Sequence, residues 1–243
     1  MEIDEELVAE IQSAPPNTVL KPRTKNGFQE DRELVDYIQN REMPESSDAD
    51  TMTFRASSIG FCLRMQWYGY MTKDRRDDFD FVTGAADHGN YIHDMVKRKL
   101  MKAGLWRGDE IYVADRKLNF TGHIDMIIFY NNELAVVEIK SMNSFKYVRY
   151  LNSPDHHHRL QLQSYLMMKK INTGYILPYS KNTDKWTLLK TGVNKDEQKE
   201  ILNRLKLLRY YTSNNIKPER IAIKPKDNKE CGWCNYRDRC WRE

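Results

Sequence analysis

The sequence predicts an α/β domain in which helices flank a central sheet. Strand-forming segments, rich in β-branched and aromatic residues, follow one another between residues 110 and 140. Helical patterns precede and follow them, and two further strand-like segments, 173–179 and 186–191, alternate with helices later in the chain. A chain of 243 residues that is 40% hydrophobic is long enough to bury one substantial core.

The first fifty residues differ from the rest in charge and composition. They hold 13 acidic and 5 basic residues, the Pro15-Pro16 pair and a short predicted helix over 29–41. We expect residues 1–50 to form an acidic, loosely ordered extension and residues 51–243 to form the folded domain. That domain has 34 basic and 22 acidic residues, a net charge of +12. Such a surplus suits a polyanion such as nucleic acid, although many solvated surfaces are equally basic.

Four helices are predicted in the folded domain. Serine capping signals place Cys62 near the start of the first helix, and the others cover 84–102, 158–170 and 195–212. The longest apolar runs, such as 134–137, are far shorter than the roughly 20 residues of a membrane helix. With an acidic start that carries no signal-peptide pattern, we expect a soluble, cytoplasmic protein without a membrane partner.

Three predicted strands, 110–120, 121–130 and 133–140, form a meander whose second turn is Asn131-Asn132. Because alternate residues of a strand share a face, Glu138 and Lys140 lie together, and Asp125 on the neighbouring strand can approach them. Two carboxylates buried among apolar residues are costly without a compensating cation. The pattern therefore predicts a divalent cation between these strands.

Oxygen ligands favour Mg²⁺ or Mn²⁺, either of which polarises a phosphoryl oxygen and lowers the pKa of a bound water molecule. Lys140 is suited to orient the attacking water or to stabilise charge that builds on a phosphate. The alternative is that Glu138 and Lys140 form an ordinary ion pair on an edge strand.

The four cysteines have the spacing of a metal or cluster site. Cys62 is followed far downstream by Cys231, Cys234 and Cys240, with a chelating Cys-x2-Cys pair and no cysteine left over. Four thiolates suit tetrahedral zinc or an iron–sulfur cluster, and disulfides are rare in a reducing cytoplasm. The alternative is four unrelated thiols.

Asp125, followed after twelve residues by Glu138-Ile139-Lys140, resembles the PD-(D/E)XK nuclease superfamily, and the lead-in Gly122-His-Ile-Asp125 resembles its RecB-like members. Gly89-Asn-Tyr-Ile-His93 is similar to their Gly-x-x-x-His element, and Gln161-Leu-Gln-Ser-Tyr165 to their Gln-x-x-x-Tyr element. The resemblance implies a restriction-endonuclease-like core with a mixed sheet. It also implies a metal held by His93, Asp125, Glu138 and the Ile139 carbonyl, and a catalytic set of Asp125, Glu138, Lys140, Gln161 and Tyr165.

The cysteine quartet is similar to that of the RecB-like iron–sulfur exonucleases, which include the AddB nuclease domain and the CRISPR-associated Cas-four type. The resemblance implies a [4Fe-4S] cluster on Cys62, Cys231, Cys234 and Cys240 that joins the N- and C-terminal parts of the domain. Ligand chemistry alone leaves zinc as the alternative.

The resemblance implies a metal-dependent DNA exonuclease that acts on single-stranded DNA or DNA ends in recombination, repair or replication, with a helicase or single-strand-binding protein as partner. One alternative is a CRISPR adaptation nuclease that trims DNA beside an integrase. Another is a non-catalytic iron–sulfur scaffold that binds DNA.

Several cations and histidines near the predicted site have no motif to define their role. Lys146, Arg149 and Arg159 are interpreted as phosphate contacts on the basis of charge alone. The triplet at 156–158 is expected to be a solvated loop and helix start.

Overall fold

The structure is a computed structural model that describes residues 53–72 and 83–242. The predicted extension over residues 1–50, with its helix over 29–41, lies outside the described residues.

The described elements follow the alternation that the sequence predicts. In chain order they are β1 (Phe54–Arg55), α1 (Leu63–Met71), α2 (Thr83–Lys102), β2 (Trp106–Asp115), β3 (Phe120–Tyr130), β4 (Glu133–Met142), α3 (Ser144–Asn152), α4 (His156–Lys169), β5 (Thr173–Ser180), β6 (Leu189–Gly192), α5 (Lys195–Ser213), α6 (Lys229–Gly232) and α7 (Arg237–Arg242).

The strands form one mixed six-stranded sheet. Strands β2, β3 and β4 are an antiparallel meander, β5 pairs parallel to β4, and β6 pairs antiparallel to β5. Strand β1 pairs parallel with the first two residues of β3. At the turn between β3 and β4, Asn131 and Asn132 have φ values of 50° and 62°, which asparagine tolerates better than most residues.

Helices cover both faces of this sheet. On one face, Ile92 and Val96 of α2 pack with Val137 and Ile139 of β4. On the other face, α4 packs against the sheet with Leu160 and Leu162 in the core, and α5 packs on α4 and α1 with Leu205 in the same core. Every residue of β5 is buried, as expected for a strand covered on both sides. The predicted α/β fold, a mixed sheet flanked by helices, is confirmed.

Helix α3 is absent from the sequence-based prediction. It spans only nine residues, fewer than the roughly 11 to 18 over which helical periodicity is read, and its apolar residues point both inward and outward. The one local signal is Asn143, whose side chain accepts a hydrogen bond from the Lys146 backbone N–H at 2.8 Å and so caps the first turn. Other differences are at element ends: β2 begins four residues before the predicted strand, and β6 begins at Leu189 after an isolated bridge at Trp186.

Among the described helices, none combines the length and apolar character needed to cross a membrane.

Candidate active site

The ladder between β3 and β4 stops at the point where the predicted acidic residues meet. Backbone pairing runs from Tyr130 opposite Glu133 to Met126 opposite Val137. One residue further along β3, the Asp125 side chain replaces the backbone acceptor, and its Oδ2 accepts a hydrogen bond from the Ile139 N–H at 2.7 Å. This bond fixes the Asp125 carboxylate beside the strand that carries Glu138 and Lys140.

The Glu138 carboxylate is buried, and Lys140 lies close to only one of its two oxygens. The Glu138 side chain is 1% exposed, and Oε1 lies 2.6 Å from the Lys140 Nζ. The second oxygen, Oε2, has no hydrogen-bond partner among the described residues. Burial, reinforced by the charge of Asp125, raises the pKa of Glu138 to about 8. Burial likewise raises the pKa of Asp125 to about 6, so the pair of carboxylates calls for more positive charge than Lys140 supplies.

His93 reaches the same point from α2. Its Nε2 lies 3.8 Å from Asp125 Oδ2, and its Nδ1 lies 3.7 Å from Glu110 Oε1. Ligand atoms of His93, Glu110 and Asp125 are all within 4.8 Å of one another. The structure thus brings the predicted His93 and Asp125 together and adds a carboxylate that sequence reasoning missed.

Glu110 lies where the pairing of β2 with β3 is interrupted. Asp109 pairs with Met126 and Ile111 pairs with Ile124, so Glu110 is opposite Asp125 without a ladder partner of its own. Its φ of 47° is in the left-handed region, an uncommon backbone conformation for a glutamate. A lone glutamate in a half-exposed strand carries no motif, and only the β2–β3 register would have drawn attention to it.

The predicted Gln161 and Tyr165 form a buried pair on α4. Gln161 Nε2 donates a hydrogen bond to the Tyr165 hydroxyl oxygen at 3.0 Å. Burial, with a contribution from Glu138, raises the pKa of Tyr165 and keeps its hydroxyl protonated. The ring packs against Gly122, where a Cβ atom would lie only 2.7 Å from the ring, so the glycine of the predicted lead-in makes room for it.

The helix start expected at 156–158 is confirmed, but these residues form no loop, and the expected solvation is wrong for two of the three histidines. Helix α4 begins at His156, and His157 and His158 are partly buried in its first turn. His158 Nδ1 lies 2.7 Å from the Tyr150 hydroxyl, and burial together with the charge of Lys140 lowers the pKa of His158 well below its usual range. Burial also lowers the pKa of His157, to about 4, so both rings are neutral near pH 7.

The three cations interpreted as phosphate contacts have protein partners. Lys146 and Arg149 both pair with Asp155, at 2.9 and 3.4 Å. Arg159 donates to Glu197 at 2.8 Å and to the Pro154 carbonyl at 2.7 Å, which makes it a link between α4 and α5. Asp155 also lies within 4.8 Å of His157 and His158 ligand atoms, but its two cationic partners disfavour a metal ion there.

The four cysteines line one small cavity near the end of the described chain. Cys62 precedes α1, Cys231 lies in α6 and Cys240 in α7, and all four are free thiols. Among the described residues, no three of the sulfur atoms lie within 4.8 Å of one another. Burial raises the pKa of the Cys234 thiol to about 11, so a cationic centre would be needed to hold it as a thiolate.

Two interactions join the segments that carry these cysteines. The Cys62 N–H donates a hydrogen bond to Glu230 Oε2 at 3.1 Å, across the gap between α1 and α6. Arg220 donates to the Cys240 carbonyl at 2.8 and 3.1 Å.

Three solved structures are similar to this chain in fold. An alkaline exonuclease (LHK-Exo) from Laribacter hongkongensis is 11% identical, with 69% of this chain and 91% of that chain covered and a TM-score of 0.53. The structure of LHK-Exo in complex with dAMP is 12% identical over the same shares, with a TM-score of 0.52. The protein SSO0001 is 18% identical, with 84% of this chain and 90% of that chain covered and a TM-score of 0.52.

A comparison with curated protein sequences gave no match. A family model of the PD-(D/E)XK nuclease superfamily, in contrast, matches residues 19–241. That match spans Asp125, Glu138 and Lys140, the residues that the fold brings together at the interrupted ladder. The chain therefore belongs to the PD-(D/E)XK nuclease superfamily.

Proposed function

We propose that this protein is a metal-dependent DNA exonuclease that acts on single-stranded DNA or on DNA ends. The proposal is supported mainly by the Glu138 carboxylate, which is buried beside Asp125 and whose Oε2 has no partner within residues 53–72 and 83–242. A buried anion with a vacant lone pair, next to a second carboxylate and a histidine, has the donor set of a hard divalent cation.

The residues present fit Mg²⁺ or Mn²⁺. In the proposed site, His93, Asp125, Glu138 and the Ile139 carbonyl hold the cation, and Glu110 is close enough to His93 and Asp125 to orient the histidine or bind water. When bound, such a cation polarises a phosphoryl oxygen and lowers the pKa of a coordinated water.

Lys140, Gln161 and Tyr165 supply the remaining polar groups. The Lys140 ammonium, held at 2.6 Å from Glu138, is placed to orient the attacking water and to stabilise negative charge on the phosphate. Tyr165 keeps its proton and is therefore available as a donor toward a phosphate oxygen or as a support for Lys140.

The choice of DNA and of exonuclease action rests on the fold neighbours and on charge. Structures with the same fold include an alkaline exonuclease and its complex with dAMP. Residues 51–243 carry a net charge of +12, which favours a polyanionic substrate.

We further propose that the cysteines bind a [4Fe-4S] cluster, as in RecB-like iron–sulfur exonucleases, and that it closes a nuclease domain over residues 51–243. A tetrahedral zinc site with bonds of 2.3 Å brings its sulfurs to about 3.8 Å from one another. Tetrahedral zinc is the alternative that ligand chemistry leaves open, and the resemblance to the iron–sulfur exonucleases favours the cluster. Such a protein should absorb near about 400 nm when purified without oxygen; a colourless protein with one zinc per chain would contradict the cluster.

The cellular role that we propose is recombination, repair or replication. The second candidate is a CRISPR adaptation nuclease, which the four cysteines also fit. Co-purification with a helicase or a single-strand-binding protein would favour the first role, and co-purification with an integrase the second. A non-catalytic DNA-binding scaffold would bind DNA tightly without metal-dependent cleavage.

The deciding experiment is digestion of single strands labelled at the 5′ or the 3′ end, with Mg²⁺ or Mn²⁺. We expect shortening from one end, little attack on a closed circular strand, and a rate at least about 10²-fold lower for Lys140→Ala. Lys190→Ala removes an exposed lysine on β6 and should leave the rate unchanged. Normal degradation by the Lys140→Ala protein would show that the catalytic centre lies elsewhere.

A further inference from the structure

Helix α3 has an outward face that is apolar and uncovered in the described structure. Phe145 is 85% exposed and Val148 is 63% exposed, and Leu151 continues the stripe three residues later. The opposite side of the same helix is anchored by Tyr147 and Tyr150, which are buried in the core. The helix is therefore anchored in the core while it presents a contiguous apolar patch to solvent, which is the kind of surface that marks an interaction site.

This face is close to the candidate active site. Phe145 follows Lys140 by five positions, so their Cα atoms are at most about 17 Å apart, or about five stacked nucleotides. Tyr150 connects the inner side of α3 to His158 through a contact of 2.7 Å, and Lys140 lies near enough to His158 to lower its pKa.

Two cations lie beside the apolar stripe, on one side of the helix. Lys146 and Arg149 alternate with Phe145 and Val148 along α3, and together they share the one carboxylate of Asp155. Two cations against one anion leave the helix with a net positive charge. Aromatic side chains interleaved with cations are the usual composition of a surface that binds single-stranded nucleic acid.

The loop after β5 adds a third cation at the same edge. The Lys181 N–H donates to the Met142 carbonyl at 2.8 Å, beside the end of β4. The Ser144 N–H donates to Asn182 Oδ1 at 3.0 Å, which ties this loop to the start of α3.

A protein partner is a weaker explanation of the exposed stripe. Three side chains of this size bury at most about 400 Å², whereas a stable protein interface takes about 800 Å² from each partner. A nucleobase needs only one aromatic face of matching size, and its backbone phosphates would meet Arg149 and Lys181.

We propose that the outward face of α3, with Phe145 at its centre and Val148 beside it, is a stacking platform for the bases of a single DNA strand that leads to the active site. The inference rests on the proposed function, because it names how that nuclease holds its substrate. Stacking tolerates any base, so the platform would hold a strand without reading its sequence.

The first test is the affinity for a fluorescent single-stranded 12-mer, measured by anisotropy with Ca²⁺ in place of the catalytic cation. We expect Phe145→Ala to weaken binding by about tenfold and Phe145→Trp to preserve it, because tryptophan keeps an aromatic face. Ile223→Ala is the matched control, since Ile223 is 88% exposed on another part of the chain. Equal melting temperatures would establish that all variants are folded.

The second test asks whether Phe145 contacts a base. A single abasic nucleotide is moved along the 12-mer, and the wild-type protein should lose affinity at one or two adjacent positions. In Phe145→Ala these same positions should no longer matter, because the partner of the missing base is gone.

The possible results distinguish a failure of the stacking platform from a failure of the proposed exonuclease function. Wild-type affinity in Phe145→Ala, or an unchanged abasic profile, would overturn the platform and leave the exonuclease proposal to the Lys140 experiment. If the wild-type protein binds no single strand, the proposed substrate fails, and the platform fails with it. A shift from dimer to monomer in Phe145→Ala, with DNA affinity unchanged, would identify the face as a contact between copies of the chain.

Discussion

Glu138 shows how a single residue can make a site depend on its ligand. The side chain is buried against apolar strands, and Lys140 neutralises only one of its two oxygens. Without a metal ion, the folded protein must either bury the two carboxylates of Asp125 and Glu138 beside the single ammonium of Lys140 or retain a proton. The candidate site is therefore a source of instability that a bound metal would relieve.

This instability should depend on pH. The pKa of Glu138 is raised from 4.5 to about 8 by burial, so the unfolded chain loses the proton first as pH rises. The stability associated with the protonated carboxyl is thus complete below about pH 4.5 and is lost as pH rises through about 8. We expect Glu138→Gln to be more stable than the metal-free wild type by about 1–3 kcal/mol at pH 8 and nearly equal to it at pH 5, because Asp125 remains to balance the charge of Lys140.

Denaturant unfolding in EDTA at the two pH values measures this difference. Added Mn²⁺ should stabilise the wild type at pH 8 and leave Glu138→Gln nearly unchanged, because the variant lacks an anionic ligand. If the variant were less stable than the wild type at pH 8, the carboxylate would be contributing favourable interactions instead of a cost.

At the scale of elements, the sequence predicts most strands and helices but misses the details that build the site. Alternation along the strands predicts that Asp125 and Glu138 approach each other. It cannot predict that the ladder stops at Met126 and that Asp125 binds the Ile139 N–H, because this depends on the twist between two strands. Glu110 is missed for the same reason.

The contact between the segment before α1 and the start of α4 is another feature that no nearby sequence pattern predicts. A Cβ atom at Gly60 would lie 2.5 Å from the Cα of His157, so the backbones meet with no space for a side chain. Phe61 then contacts His157 in a tilted ring pair, with ring centroids 4.6 Å apart. The first turn of α4 is thereby held against the segment that carries Cys62.

We expect Gly60→Ala to destabilise the protein by about 1–3 kcal/mol, because a methyl group there must displace backbone atoms. Gly232→Ala is the control, since its Cβ would have no neighbour within 4 Å. Thermal unfolding of both variants measures the effect. Equal melting temperatures would mean that the two segments can separate at little cost.

At the scale of the whole molecule, residues far apart in sequence close the described domain. The sequence predicts the meeting of Cys62 with Cys231, Cys234 and Cys240, because thiolate spacing is a strong signal. It does not predict Arg204 of α5, whose guanidinium donates to the backbone carbonyls of Ile59 and Phe61. An arginine in a long charged helix looks like a surface residue until the fold brings it to another segment.

The cysteine centre should therefore contribute to stability more than to the chemical step. Phosphodiester hydrolysis transfers no electrons, and the four cysteines lie outside the set of residues that meet at Glu138. We expect Cys234→Ala to lower the unfolding free energy by about 3–5 kcal/mol, which is about 10 °C in melting temperature for a domain of this size. Its residual activity at low temperature should exceed that of Lys140→Ala.

Thermal unfolding followed by circular dichroism, together with the metal content of each protein, measures this contribution. Asp238→Ala is a control in the same segment, because its pairing with Arg242 is exposed and long at 3.8 Å. A Cys234→Ala protein that keeps the wild-type melting temperature would show that the quartet does not hold the domain closed. The ends of the domain would then depend on Arg204 and on the Cys62–Glu230 hydrogen bond instead.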